Sequence, residues 1–67
     1  MQVVINDLVT QLPEPSSALS VFGVLQIEST NGYAIAINNR VIPKSTWEKT
    51  NLVEGDAILV IQATQGG

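Results

Sequence analysis

The last four residues, Thr64-Gln65-Gly66-Gly67, carry the group in this sequence best suited to a covalent reaction. A terminal carboxylate is ionised at neutral pH and is a poor electrophile, so it must be activated, typically as an acyl-adenylate. Glycine adds no Cβ beside the reacting carbonyl and adopts backbone angles that other residues avoid. Four extended residues reach about 13 to 14 Å. The pattern predicts an arm that enters a partner's active site, although a frayed terminus of small residues would look the same.

The rest of the chain offers few conventional catalytic side chains. It has no Cys and no His, which removes the thiolate nucleophile, the commonest general base and the usual zinc ligands. Six acidic residues against three basic ones give a net charge of -3, the wrong sign for neutralising nucleic-acid phosphates. Sixty-seven residues bury one small core and leave little volume for a deep pocket. We therefore expect no enzyme, no bound metal or cofactor, and no nucleic-acid partner.

The first residues do not have the pattern of a targeting signal. The first five residues, Met1-Gln2-Val3-Val4-Ile5, contain no basic segment, and their apolar run stops at Asn6-Asp7. A signal peptide or a membrane span would need both a longer apolar stretch and different flanks. We therefore expect a cytoplasmic protein with no membrane partner, monomeric when it is free.

Turn residues divide the chain into short elements that would position the tail. Asn6-Asp7 and Asn38-Asn39 tolerate positive φ and predict tight hairpin turns, while Pro13-Glu14-Pro15 ends a strand. Residues 28–32 form a loop by composition. The predicted elements are strands at 2–6 and 9–12, a helix at 18–27, strands at 33–37 and 40–42, a helical turn starting at 45, and a strand at 57–63.

The two predicted helices rest on different signals. Residues 18–27 fit a helical face and a strand alternation about equally, so the local pattern leaves this segment open. If it is a helix, Ser16 or Ser17 can cap it. Ser45 is followed three residues later by Glu48, the capping-box pattern, which predicts the start of one helical turn.

This element order predicts a mixed sheet crossed on one face by a single helix. Residues 1–63 would form one domain, and residues 64–67 a flexible tail. The last strand is apolar on both faces, so one alternating set of its side chains must face solvent. We expect that set to mark a docking surface. Either Ile58 with Val60 or Leu59 with Ile61 faces outward, and the alternation does not decide between them.

Several motifs follow one another between Tyr33 and the C-terminus. They are Ala34-Ile35-Ala36-Ile37-Asn38, Val41-Ile42-Pro43-Lys44, Trp47, Leu52, Glu54-Gly55-Asp56, an apolar strand and Gln65-Gly66-Gly67. In this order they resemble the thiamine-biosynthesis sulfur carrier protein family, and the element order matches over the full length. The resemblance implies an α+β, β-grasp (ubiquitin-like) fold and favours a helix for 18–27. The family often has Arg where this chain has Lys44, and the N-terminal half matches only in outline.

The resemblance also implies a reaction cycle. An ATP-using adenylyltransferase of the ubiquitin-activating type would adenylate the Gly67 carboxylate, and sulfur from a sulfur donor protein would replace AMP. The resulting thiocarboxylate would supply the sulfur that thiazole synthase builds into thiamine. By position, Gly67 holds the reacting carbonyl, and Gly66, Gln65 and Thr64 thread into the partner. The protein would be a carrier and not an enzyme, and ATP would be used by the activating partner.

Two alternatives remain open at this point. The small subunit of molybdopterin synthase shares the fold and the Gly-Gly end, but that family is usually longer and often has prolines where this chain has Ala63-Thr64-Gln65. A β-grasp interaction module without a reactive tail would act through its exposed sheet face alone.

Three other features have ordinary structural interpretations. Trp47 is expected to close the core. Arg40, Lys44 and Lys49 hold all the positive side-chain charge and are expected to form a solvated face. Glu54-Gly55-Asp56 lacks the further carboxylates of a calcium loop, so a turn before the last strand is expected.

Overall fold

The computed structural model describes residues 1–62 and contains the predicted elements in the predicted order. Each strand agrees with its prediction to within one residue at either end. Ala63, the last residue of the predicted final strand, and the predicted tail at 64–67 lie outside the described residues. The elements are β1 (Gln2–Ile5), β2 (Leu8–Gln11), α1 (Ser20–Val24), β3 (Tyr33–Ile37), β4 (Arg40–Val41), a 3-10 helix (Lys44–Lys49) and β5 (Ala57–Gln62).

The five strands form one mixed sheet in the order β2-β1-β5-β3-β4. Only β1 and β5 run parallel; the other neighbours are antiparallel. Both hairpins turn on two consecutive residues with positive φ, at Asn6-Asp7 (49° and 69°) and Asn38-Asn39 (52° and 68°). Two such residues give the turn whose twist matches the twist of paired strands. The predicted hairpins are confirmed.

The segment 18–27 contains a helix, as the resemblance implies, but α1 is only five residues long. It ends where Gln26 adopts a positive φ of 60°, with the Gln26 N–H donating to the Gly23 carbonyl and the Ile27 N–H to that of Phe22. This pair of hydrogen bonds is the Schellman arrangement that closes a helix. No helix in residues 1–62 is long and apolar enough to cross a membrane.

The predicted serine caps of α1 are wrong. The Ser16 hydroxyl donates instead to the carbonyl of Pro13, and no side chain caps the helix at Leu19. The physical reason lies far along the chain. Ser17 pairs with Asn51, and the Ala18 N–H donates to the Thr50 carbonyl at 2.8 Å. Because this backbone is held by the segment after the 3-10 helix, α1 begins only beyond it.

The predicted capping box at Ser45 is also wrong. The helical turn has 3-10 geometry, begins at Lys44 directly after Pro43, and has no side-chain cap. The carbonyl of Pro43 accepts from both the N–H and the hydroxyl of Thr46, at 2.9 and 3.0 Å. Trp47 fixes the turn from inside, because its indole N–H donates to the Ile42 carbonyl at 2.7 Å.

We call α1 and the 3-10 helix together the helical layer. The core lies between this layer and the sheet. The three aromatic residues of the chain meet there: Phe22 stacks on Trp47 with ring centroids 4.8 Å apart and meets Tyr33 edge-on at 5.8 Å. Trp47 is buried, which confirms its predicted place in the core. The buried residues that form this core are Val3, Ile5, Leu12, Ala18, Val21, Phe22, Ile35, Trp47, Leu52 and Ile58.

Replacing Ile35 with Ala should cost about 3 kcal/mol of unfolding free energy, because the side chain is fully buried and its loss leaves a cavity. Ile61→Ala is the matched control, since this isoleucine lies half-exposed on the opposite face of the sheet and should cost less than about 1 kcal/mol. Urea unfolding followed by Trp47 fluorescence measures both. Equal losses would contradict the assignment of the two faces.

Candidate functional site on the open face of the sheet

The structure decides which parity of β5 faces outward. Ile58 is buried and Val60 packs against the core, whereas Leu59 and Ile61 are 48% and 46% exposed. Of the four predicted docking candidates, Leu59 and Ile61 are therefore the accessible pair. Ile58 and Val60 help to hold the helical layer onto the sheet and do not face a partner.

The strand register brings further apolar residues to the same side. Ala36 lies opposite both Leu59 on β5 and Val41 on β4, and Val4 lies opposite Val9 on β2. We call this side the outer face; it comprises Val4, Val9, Ala34, Ala36, Val41, Ala57, Leu59 and Ile61. Every strand contributes to it. The outer face is therefore the candidate docking surface.

Sequence reasoning missed Val9 and Val41 as members of this face, although both are about two-thirds exposed. Their exposure follows from pairing, because residues opposite each other in an antiparallel ladder point to the same side. The alternation within β2 and the two residues of β4 could not supply that information. Only the pairing with β1 and β3 places them beside the outward residues of β5.

The start of β5 is fixed by a polar cluster around the buried Asp56. The Asp56 carboxylate is buried and accepts from Asn38 Nδ2 at 3.0 Å and from the Val53 N–H at 2.8 Å. Asn38 Oδ1 in turn accepts from the Ala57 N–H at 3.0 Å. The side chain of Asn38 thereby continues the hydrogen-bonded ladder past the end of β3. This cluster sets the register between β3 and β5.

The other hairpin holds β5 from the opposite side. Asn6 donates its N–H to the Ile58 carbonyl at 2.9 Å and accepts from the Val60 N–H through Oδ1 at 2.8 Å. Two turn asparagines, one in each hairpin, therefore grip the same strand. The sequence showed why Asn suits these turns but gave no sign that the amide groups reach across to β5.

The segment before β5 is the predicted turn. Gly55 has φ +87°, which favours glycine, and its N–H donates to the Gln2 carbonyl at 2.8 Å. The Asp56 N–H donates back to the carbonyl of Val53. The turn prediction for Glu54-Gly55-Asp56 is confirmed.

At its far end, β5 leads toward the predicted reactive segment. Gln62, the last residue of β5, lies opposite Tyr33 at the start of β3, directly after the outward-facing Ile61. The predicted site residues Thr64, Gln65, Gly66 and Gly67 lie outside the described residues. The described structure thus holds the outer face and the strand from which the tail continues.

The three basic residues are all exposed, as predicted for a solvated face. The ammonium of Lys44 donates to Asn31 Oδ1 at 3.4 Å. Arg40 is paired with Ile37 in the ladder, so it lies on the side of the sheet away from the outer face. The positive charge is therefore not part of the outer face.

Comparison with known proteins agrees with this architecture. The sequence model of the ThiS family matches residues 2–67. Sulfur carrier protein ThiS of Escherichia coli K12 is 30% identical over 67 residues, the whole of both chains. The crystal structure of the thiamine biosynthesis protein ThiS from Geobacter metallireducens covers both chains fully, with TM-score 0.84 and 17% identity. A solution structure of a thiamine biosynthesis protein from that organism has TM-score 0.79 and 17% identity, covering all of this chain and 88% of the other. These structures share the β-grasp fold.

Replacing Asn38 with Gly should lower the unfolding free energy by about 1 to 3 kcal/mol, because Asp56 and the Ala57 N–H lose their partner inside the protein. Asn39→Gly is the matched control: it has the same positive φ in the same turn and should change stability by less than about 0.5 kcal/mol. Denaturant unfolding measures the difference, and amide exchange at Ala57 should accelerate only in Asn38→Gly. Equal behaviour of the two variants would argue against the cluster.

Proposed function

This chain belongs to the ThiS family as a sulfur carrier of thiamine biosynthesis, and we propose that it carries the sulfur on the Gly67 carboxylate. The observation that carries the proposal is the end-to-end alignment with a sulfur carrier protein, which extends through Gly66 and Gly67. The family model likewise extends to residue 67. The two solved structures from Geobacter metallireducens are named as thiamine biosynthesis proteins, which favours this pathway over that of molybdopterin.

The proposed reaction takes place at one carbonyl carbon. In an activating partner, an oxygen of the Gly67 carboxylate attacks the α-phosphorus of ATP, pyrophosphate leaves and an acyl-adenylate forms. Hydrosulfide (HS⁻), released by a sulfur donor protein, then attacks the acyl carbon, AMP leaves with the electron pair of the broken C–O bond, and the new thioacid loses its proton. The product is a thiocarboxylate. At thiazole synthase the C–S bond breaks as sulfur passes to the substrate, and an oxygen atom from water or from that substrate replaces it on the acyl carbon, which restores the Gly67 carboxylate.

In this proposal, the outer face binds the partner, and β5 determines where the reactive C-terminal residues begin. Leu59 and Ile61 project from the strand that leads into the tail, so a partner that docks on them holds the start of residues 63–67 at a fixed place. Five extended residues span at most about 17 Å. A partner can therefore keep the globular body outside its active site and still reach Gly67. The hydrogen bonds that the side chains of Asn6 and Asn38 make to β5 hold that starting point in place.

Loading should be visible in the intact mass of the chain. After incubation with ATP, a sulfur source and the cognate activating enzyme, we expect a mass gain equal to the replacement of one oxygen by sulfur, at Gly67. Deleting Gly67 should abolish that gain, because the remaining terminus no longer reaches the reacting phosphate. The thermal unfolding of this variant should match that of the parent chain. A wild-type chain that shows neither adenylate nor sulfur exchange would refute the proposed function.

A growth test separates the pathways. A strain that lacks its thiamine sulfur carrier should grow without added thiazole when it expresses this chain, and the variant lacking Gly67 should not rescue it. If the chain instead rescues a strain that is deficient in molybdopterin synthesis, the carrier is assigned to that pathway.

Docking should depend on the outer face. Leu59→Glu should raise the concentration of carrier that gives half-maximal ATP–pyrophosphate exchange by about tenfold or more, because the charge would be desolvated under the partner. Leu19→Glu is the matched control. It makes the same substitution at a similarly exposed leucine, 40% against 48%, in the helical layer. We expect it to change the half-maximal concentration by less than about twofold. An equal effect of both variants would count against the outer face as the docking surface.

A further inference from the structure

The outer face contains a hollow beside the two hairpin turns. Its volume is about 310 Å³, and its apolar lining includes Val4, Ala36, Ala57 and Leu59. Ala36 is only 9% exposed and lies opposite the half-exposed Leu59, so it forms a low point in the sheet surface. Small side chains on two neighbouring strands thus leave room for a side chain from outside.

The polar side of the hollow carries negative charge, from Asp7. Asp7, Asn38 and Asn39 line it, and Asp7 is the single charged residue among the described lining residues. The amide of Asn38 is already engaged, with Nδ2 on Asp56 and Oδ1 on the Ala57 N–H. Asp7 is exposed, and the chain as a whole has a net charge of -3. The group that complements this side of the hollow is a cation.

We propose that this hollow receives a Lys or Arg side chain of the activating partner. The methylene stem would pack against Ala36 and Leu59, and the cationic tip would pair with the Asp7 carboxylate. Long basic side chains bury an apolar stem while their charged end meets a polar group. An uncharged aromatic residue would fill the volume but would leave the Asp7 carboxylate without a complementary charge. This inference rests on the proposed function, because it assigns the hollow to that function's activating enzyme.

The position of the hollow makes it an anchor remote from the chemistry. It lies at the Ala57 end of β5, whereas the tail continues from Gln62, five residues further along. At about 3.3 Å per residue this separates the two ends by about 17 Å. Contacts in the hollow would therefore govern how tightly the partner binds and leave the maximal rate of adenylation unchanged.

Filling the hollow tests the proposal. Ala36→Leu should raise the half-maximal carrier concentration in ATP–pyrophosphate exchange by about tenfold, with an unchanged maximal rate. Ser45→Leu adds the same side chain at an exposed position of the 3-10 helix, away from the outer face, and should change the concentration by less than about twofold. Trp47 fluorescence and thermal unfolding verify that both variants fold.

Removing the charge supplies a second variant that does not disturb the fold. Asp7→Asn retains a residue that tolerates the φ of 69°. It should raise the half-maximal concentration by about fivefold at low salt and flatten its salt dependence. Glu48→Gln removes one exposed negative charge from the 3-10 helix and is the control for net charge. We expect Glu48→Gln to behave like the wild type.

The outcomes distinguish this inference from the function on which it rests. If the wild type supports no exchange at all, the proposed function fails and the inference with it. If the wild type is charged but Ala36→Leu behaves like Ser45→Leu, the hollow is empty in the complex and only the inference fails. If Ala36→Leu is impaired while Asp7→Asn behaves like Glu48→Gln, the occupant is uncharged and the cationic assignment is overturned.

Discussion

The placement of β5 between β1 and β3 is the constraint on which the rest of this molecule depends. The strand supplies Ile58 and Val60 to the core, presents Leu59 and Ile61 to solvent, and leads into the tail. Because side chains alternate along a strand, a slip of one residue would exchange the buried and exposed sets. The hydrogen bonds from Asn6 and Asn38 on its two sides oppose such a slip. One register thus fixes the core, the outer face and the point from which residues 63–67 continue.

The small size of the chain explains why an apolar face remains open. Its helical layer consists of the five residues of α1 and the 3-10 helix, and the aromatic cluster around Phe22 fills the space beneath them. Within residues 1–62, no further element covers the other side of the sheet. In the proposed function, this open face is the surface through which partners recognise the carrier.

Recognition and chemistry are separated along β5 in the proposed function. The body binds through the outer face and the hollow beside Asp7, while the reacting group lies at the end of the tail. A carrier of this kind leaves nucleophiles, bases and nucleotide binding to its partners, so a composition without Cys or His suits it. The distance between anchor and reacting group allows affinity and reactivity to be set independently.

The sequence by itself determined the features that depend on neighbouring residues. The hairpins at Asn6-Asp7 and Asn38-Asn39, the turn before β5 and the positions of the strands could be predicted, because turn preferences and alternation act over a few residues. The local pattern left the segment 18–27 open, and the family resemblance was needed to favour a helix there. Only the tertiary structure decided the parity of β5, since that strand is apolar on both sides and its burial depends on which face the helical layer covers. It also overturned the predicted cap at Ser16 or Ser17, because the backbone there is hydrogen-bonded to the distant segment at Thr50 and Asn51. The capping box predicted at Ser45 does not form either, because the helical turn begins one residue earlier, directly after Pro43.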